Sequence, residues 1–188
     1  MPQMPQNPQI RSYSWEEMID FSARLGEKIR SLEVQPTAII AILRGGAFPG
    51  LLLSHALGLR QLYTVTVRST LDEAARAERH GLQSAEGIGG LPDLSTEDIV
   101  VVDDVTNTGR TLSAAVEAIR TNHHPRSVRT GCLVWDTVPA EGSTALTTCA
   151  ADLWVDTVHA WAHFPWEEPV SGGSDEITEA SVVQLEKG

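Results

Sequence analysis

The sequence is poor in cysteine, in positive charge and in long apolar runs, and each shortage narrows what the protein can be. Its two cysteines, Cys132 and Cys149, show no metal-ligand spacing and read as ordinary semi-buried thiols. Lys and Arg number 14 against 25 Asp and Glu, for a net charge of −11 and a pI near 4.9. Such a balance disfavours an extended nucleic-acid surface, and any anionic substrate has to be met by local positive groups and a metal, against the overall field. No apolar run is long enough to span a bilayer, and the opening Met-Pro-Gln-Met-Pro-Gln-Asn-Pro-Gln has neither a cationic nor a hydrophobic signal region. No membrane partner and a cytoplasmic location are the expectations. A Gly-x-Gly-x-x-Gly after the first buried strand is also missing, which removes the fingerprint of a plain nucleotide-binding Rossmann domain.

What is present centres on Ile99 to Leu112, Ile-Val-Val-Val-Asp-Asp-Val-Thr-Asn-Thr-Gly-Arg-Thr-Leu. Four consecutive β-branched residues suit a strand buried on both faces of a parallel sheet. Asp103 and Asp104 fall at its carboxyl end. Small hydroxyl, amide and glycine residues follow over Thr106, Asn107, Thr108, Gly109, Arg110 and Thr111, and Leu112, Ala115, Val116 and Ile119 then recur at helical spacing. Backbone N–H groups and Thr hydroxyls at a helix N-terminus make a phosphate site, because unpaired amides and the helix dipole both favour negative charge. Gly109 lets the backbone come close to the anion. Two carboxylates beside such a loop would repel a bare phosphate and are better aimed at sugar hydroxyls or at magnesium. A phosphate, a diol and a metal in one loop describe a phosphorylated ribose.

A second anion loop is expected upstream. Thr37 to Leu43 reads as a buried strand running into Arg44-Gly45-Gly46-Ala47-Phe48-Pro49-Gly50, and Leu51 to Leu57, closed by Gly58, reads as the returning helix. Arginine followed by paired glycines at a strand end suits a diphosphate, since the backbone folds tightly while amides and guanidinium face the ligand. The alternative is a tight strand-to-helix turn with a solvated Arg. Ser14 and Glu17 have capping-box spacing at the head of a helix over about 14 to 33. Strands are expected at Tyr63 to Val67, Thr130 to Trp135 and Leu153 to Val158. Arg68 to Asp98 is rich in acids, bases and glycine with little apolar periodicity, the pattern of a lid or a disordered segment.

These motifs resemble those of type I phosphoribosyltransferases: a hydrophobic strand, two acids and Thr-Gly-x-Thr as the phosphoribosyl-pyrophosphate (PRPP) motif. Arg-Gly-Gly-x-x-Pro-Gly is similar to the pyrophosphate loop of the bacterial xanthine-guanine enzymes, and Trp161-Ala162-His163-Phe164-Pro165-Trp166-Glu167 resembles the Trp-x-x-x-Pro-Trp-acid segment with which those enzymes close the purine pocket. The resemblance covers residues 12 to 168 and implies a doubly wound α/β domain with a mainly parallel sheet, a hood loop over about 68–98 and a small base-binding subdomain built from segments near the two termini. Outside it, the Pro- and Gln-rich residues 1–11 read as a disordered arm and the Gly-, Ser- and acid-rich residues 169–188 as an acidic tail. It implies Mg²⁺-dependent transfer of 5-phosphoribosyl from PRPP to a nitrogenous base with release of pyrophosphate. Residues 106 to 111 would hold the 5′-phosphate, Asp103 and Asp104 the ribose hydroxyls and metal, and Arg44, Gly45 and Gly46 the pyrophosphate, joined by Arg76 and Arg79 when the hood closes. Trp161 would stack on the base, Ala162 would read its edge through backbone groups, and Trp166 would be structural. The residue pair entering the pyrophosphate loop, here Leu43-Arg44, is cis in that family, and homodimers or higher homo-oligomers are typical.

Two departures fall where the base is read. Asn107 occupies the place of an acid that manages the proton of the attacking base in 6-oxopurine enzymes, and an amide takes no proton at neutral pH. Near Asp136 those enzymes carry a lysine. A carboxylate there suits an exocyclic amine better than a carbonyl oxygen, so hypoxanthine, xanthine and guanine are expected to be poor substrates and an amino-bearing heterocycle a good one, unless Asp136 points elsewhere. A non-catalytic PRPP-binding regulator on the same fold is the alternative function.

Overall fold

The computed structural model describes residues 9–69, 83–87, 90–138 and 149–168. Helix α1 (Trp15–Arg30) begins where the capping box predicts: Glu17 N donates to Ser14 Oγ at 3.2 Å and Ser14 N to Glu17 Oε2 at 2.8 Å. Met18, Phe21, Leu25 and Ile29 recur at three- and four-residue steps and form its buried face. Glu16 and Glu17 in the first turn and Lys28 and Arg30 in the last oppose the helix dipole favourably.

The sheet is built from β2 (Ala38–Leu43), β3 (Leu62–Ser69), β4 (Gln83–Glu86), β5 (Asp98–Thr106), β6 (Ser127–Asp136) and β7 (Asp156–Val158), in the order β4-β3-β2-β5-β6-β7. All neighbouring pairs are parallel except β3 and β4. Helix α2 (Ala47–Leu57) links β2 to β3, and α3 (Arg110–His123) links β5 to β6, the helical crossovers that parallel strands require. Alternate residues of the central strands sort into two cores. Ile39, Ala41, Val100 and Val102 pack with α1, while Ile40, Ile42, Ile99 and Val101 pack with Leu112, Ala115 and Ile119 of α3. Burial on both faces explains why the strands read as continuous apolar runs rather than alternating ones.

From β2 the chain moves outward to β3, and from β5 it moves the other way to β6 and β7. The order therefore reverses between β2 and β5, and open α/β sheets bind ligands at the carboxyl end of such a switch point.

A second, two-stranded sheet joins the segments near the two ends of the chain. Strand β1 (Ile10–Ser12) pairs in parallel with β8 (Trp161–His163), extended by Trp161 N to Gln9 O at 2.8 Å and Tyr13 N to His163 O at 2.9 Å. Residues 10 and 11, expected in a disordered arm, are thus ordered: their partners, Trp161 and Ala162, lie 151 positions further along the chain, beyond any local pattern.

Other expectations shift at their edges. Strand β6 starts at Ser127, not Thr130, because Asp98 to Val100 of β5 supply ladder partners to its polar opening. Leu153 makes only an isolated bridge to Gly131, and β7 starts at Asp156. Within the stretch expected to form the hood, Leu91 and Leu94 are buried in the α3-side core, so the part from 90 to 98 belongs to the body of the domain. Arg76 and Arg79 lie outside the described residues, as does 169–188. No helix among the described residues is long and apolar enough to cross a membrane.

Candidate active site

The carboxyl ends of β2 and β5 bring the two anion loops into contact. At the end of β2 the Leu43–Arg44 peptide is cis, as in the resembled family. Gly46 N then donates to Ile42 O at 2.9 Å, turning the chain into α2. A Cβ on Gly46 would sit 2.6 Å from both Ile42 O and Val102 O, and one on Gly45 would sit 1.8 Å from Asp104 Oδ2. Only glycine lets this backbone lie against the neighbouring strand and its carboxylate. Arg44 stands exposed at the mouth of the turn.

Asp103 and Asp104 are buried at the end of β5. Asp104 N donates to Asp103 Oδ1 at 3.0 Å and Val105 N to Asp104 Oδ1 at 2.7 Å. Burial pushes both carboxyls up from their ordinary range; for Asp103 the adjacent Asp104 adds to this, and for Asp104 the charge of Glu167 does. Among the described residues no Lys or Arg is ion-paired with either. Buried acids held this way favour a cation or a hydroxyl donor. They fit magnesium as a partial site: the described residues hold no group of three or more metal-ligating side chains, and magnesium is commonly bound by one or two carboxylates with waters and substrate phosphates completing the shell.

Past the acids, Thr106 is buried, Thr108 and Arg110 are exposed, and Gly109 caps α3 with φ 75° and no side-chain hydrogen bond to the helix amides. Helix α2 likewise starts at Gly46 without a side-chain cap, in contrast to α1. Both helices that face the switch point therefore begin at a glycine, with no side-chain cap from the N-cap position, a start that lets an anion approach the helix end. Ala150 packs directly on Gly109, 2.0 Å from where a Cβ would be, a contact with no sequence signal.

The base side is assembled from β6 and β8. Asn107 Nδ2 donates to the carbonyls of Asp136, at 2.8 Å, and Val138, at 2.7 Å. Asp136 is buried and its Oδ1 accepts from Val138 N at 2.8 Å, so at least this oxygen serves the turn. Thr137 N and Oγ1 both donate to Val158 O, at 2.8 and 3.0 Å, and Oγ1 lies 3.1 Å from His159 Nδ1. Trp161 is 48% exposed on β8 and Ala162 is buried. Trp166 stacks on Phe164 at 4.9 Å and Phe48 at 5.0 Å and meets Trp15 edge-on, which makes it part of the aromatic core under the site. Asn107 is the residue whose role sequence reading missed: its departure from the family was visible, its two carbonyl partners were not.

A mostly parallel sheet flanked by helices, with two glycine-bearing turns and an acid pair at its switch point, defines an α/β protein of the doubly wound class. The chain belongs to the phosphoribosyl transferase domain family, whose model matches residues 13–171. Among solved structures it is similar to a purine phosphoribosyltransferase from Pyrococcus horikoshii OT3, at 27% identity over 86% of this chain and 97% of that one, TM-score 0.67. It shares its fold with the xanthine-guanine-hypoxanthine phosphoribosyltransferase of Helicobacter pylori, at 21% identity over 96% and 100% of the two chains, TM-score 0.66. It also shares it with a Neisseria gonorrhoeae protein solved with bound ppGpp, at 20% identity over 96% and 97%, TM-score 0.64.

Proposed function

We propose that the protein transfers 5-phosphoribosyl from PRPP to a nitrogenous base, purine-like or amino-bearing, with release of pyrophosphate. The observation that carries this reading is the approach of Gly45 to the Asp104 carboxylate: one sugar can place its diphosphate on the Arg44–Gly46 turn and its hydroxyls on the acids at the same time. Residues 106 to 111 hold the 5′-phosphate through the amides at the start of α3, and Arg44 neutralises the departing diphosphate. Asp103 and Asp104 orient the ribose hydroxyls and would supply carboxylate oxygens to a magnesium ion. Bound with the diphosphate, magnesium would offset the charge that develops on the leaving group. A ring nitrogen of the base forms its bond to C1′ as the C1′–oxygen bond to pyrophosphate breaks, and the proton which that nitrogen carried passes to the released pyrophosphate or to water. The residues act chiefly by positioning and charge neutralisation.

Trp161 offers the base a flat apolar face. Trp161 N bonds to Gln9 O and His163 O accepts from Tyr13 N. Because successive residues of a strand point their backbone groups to opposite sides, Ala162 turns its N–H and C=O away from β1, which supports its reading as a base-edge contact. Asp136 as the reader of an exocyclic amine is part of the same proposal. Arg76 and Arg79 would meet the pyrophosphate from the hood.

A screen of pyrophosphate release from Mg²⁺ and PRPP, across nucleobases and small amino-heterocycles, tests the assignment. Turnover with an amino-bearing acceptor and little with hypoxanthine supports it; preferential use of hypoxanthine would remove the Asp136 argument. The second reading, a PRPP-binding regulator without catalysis, is favoured by the amide at position 107 and would be selected by tight PRPP binding with no pyrophosphate release from any base.

A further inference from the structure

The side chain of Asn107 carries the contact between β5 and β6 one step beyond their last ladder pair, Thr106 with Trp135, and so ties the loop after β5 to the turn after β6. It belongs to the phosphate loop, yet its NH₂ is directed at the carbonyls of Asp136 and Val138, at 2.8 and 2.7 Å, on the turn that forms the base side. An amide NH₂ has two hydrogens, and both have acceptors here. The other half of the amide is idle: Oδ1 is shut off from solvent and has no hydrogen-bond partner among the described residues. What the residue supplies is therefore a pair of donors.

The turn it grips is held from two further directions. Val138 N donates to the Asp136 carboxylate at 2.8 Å, closing a short side-chain turn, and Thr137 bonds through both N and Oγ1 to Val158 O. Val158 ends β7, three residues before Trp161. A chain of contacts thus runs from the 5′-phosphate loop through Asn107 and residues 136–138 to the strand that leads to the stacking tryptophan.

We propose that Asn107 is a positioning residue that ties the phosphate loop to the wall of the base pocket through two backbone carbonyls, so that binding of the sugar phosphate orders the place where the base docks. This rests on the transferase reading for its ligands but not for the clamp itself. It changes what position 107 is for. A carboxylate there would set an acceptor against two acceptors, and neither carbonyl would be satisfied. The side chain that serves proton management in the 6-oxopurine enzymes is thus the wrong one for this turn, although it has nearly the same shape. By linkage, whatever Asn107 contributes to ordering the base wall when PRPP binds must return as tighter PRPP binding when the base is present.

The test compares wild type, Asn107→Asp and Asn107→Ala by amide hydrogen exchange and by calorimetric titration with PRPP and Mg²⁺. In the free protein, both variants should lose about tenfold or more of the protection at the Thr137 and Val138 amides, the effect of about 1.4 kcal/mol, while the amides of Ile40 and Val101 in the sheet keep theirs. In wild type, PRPP should raise protection over 136–138 and 158–162; in both variants that response should be lost, and PRPP affinity should fall about tenfold. Asn107→Asp should do no better than Asn107→Ala. Wild-type protection and affinity in Asn107→Asp would overturn the proposal. So would a loss of protection spread evenly over the sheet, since a clamp acts locally. If wild type failed to bind PRPP, the transferase reading would fall and with it the proposed response to sugar phosphate, while the exchange of the free proteins would still decide whether the clamp exists.

Discussion

Strand β5 carries an aspartate at its start and two at its finish, and the three are treated in opposite ways. Asp98, at the amino end, is buried and surrounded by partners: Arg126 bonds it through Nε at 2.9 Å and through a second nitrogen, Ser127 Oγ donates to it at 2.6 Å, and Thr37 holds its backbone. Those bonds, led by Arg126, hold its carboxyl below the ordinary range. Asp103 and Asp104, at the carboxyl end, are equally buried but have each other and backbone amides for company, and their carboxyls are pushed up. A charge satisfied inside the fold contributes to holding strands together. A charge left with a like neighbour is a standing cost that a ligand removes. The amino end of the sheet is organised for stability, and the carboxyl end carries the unsatisfied acids on which the proposed function draws.

The largest expected effect is on that contrast itself. Asp104→Asn should lower turnover by about 10²–10³-fold or more, the scale of losing one preorganised charge at a reacting centre, while the ligand-free protein melts no lower than wild type. Asp98→Asn should do the reverse, lowering Tm by several degrees with kcat/KM unchanged. Steady-state kinetics and thermal melts of the two variants check this; a Tm loss in Asp104→Asn matching that in Asp98→Asn would erase the distinction.

Stability against pH reads the same contrast in the unmodified protein. Raised carboxyls at 103 and 104 contribute stability that is present below the unfolded value of about 3.9 and lost as pH climbs through their folded values. The lowered carboxyl of Asp98 contributes stability present above about 3.9 and lost as pH falls through its folded value. Ligand-free protein should therefore weaken as pH rises from about 4 toward neutrality, and Mg²⁺ with PRPP should flatten that slope. Denaturant unfolding at a series of pH values, with and without both ligands, measures it, and an unchanged slope in Asp104→Asn would show that the pair is not its source.

Gly45→Ala sharpens the comparison sterically. The added Cβ has to displace the Asp104 carboxylate or its own backbone, and a shift of about 1 Å at a reacting centre costs about 10²-fold. Activity should fall by that order with the far-UV spectrum unchanged. Trp161→Ala should raise KM for the base about tenfold with less effect on KM for PRPP, since an aromatic face contributes about 1 kcal/mol beyond its area. Equal effects on both substrates would move Trp161 out of the base site. The smallest expected effect lies beside the acids. Cys132 pairs with Asp103 across the strands and donates its thiol hydrogen to Cys149, whose pKa is lowered to about 7. Alkylation of Cys149 should rise through a midpoint near that value, and Cys132→Ala should move the midpoint upward.

Much of this was legible in the chain. The run Ile99 to Val102 announces a strand buried on both faces because no polar residue interrupts it, Ser14 and Glu17 announce the start of α1, and the glycines at 45, 46 and 109 mark where backbone must approach something closely. Those signals are local: periodicity, capping and backbone freedom act within a few residues. The paired strands at Ile10–Ser12 and Trp161–His163, the packing of Ala150 on Gly109 and the partners of Asn107 had no such signal, because each joins segments distant in sequence.

By itself, then, the amino-acid order determined the central strands and the three helices of the domain, and which turns carry its glycines and its paired acids. Only the tertiary structure decided that the Arg44 turn and the Asp104 carboxylate share one switch point, and that Asn107 answers to two carbonyls. Strand order and loop contact depend on how whole segments pack across the sheet, and a side chain's chemical role follows from the atoms that packing sets in front of it.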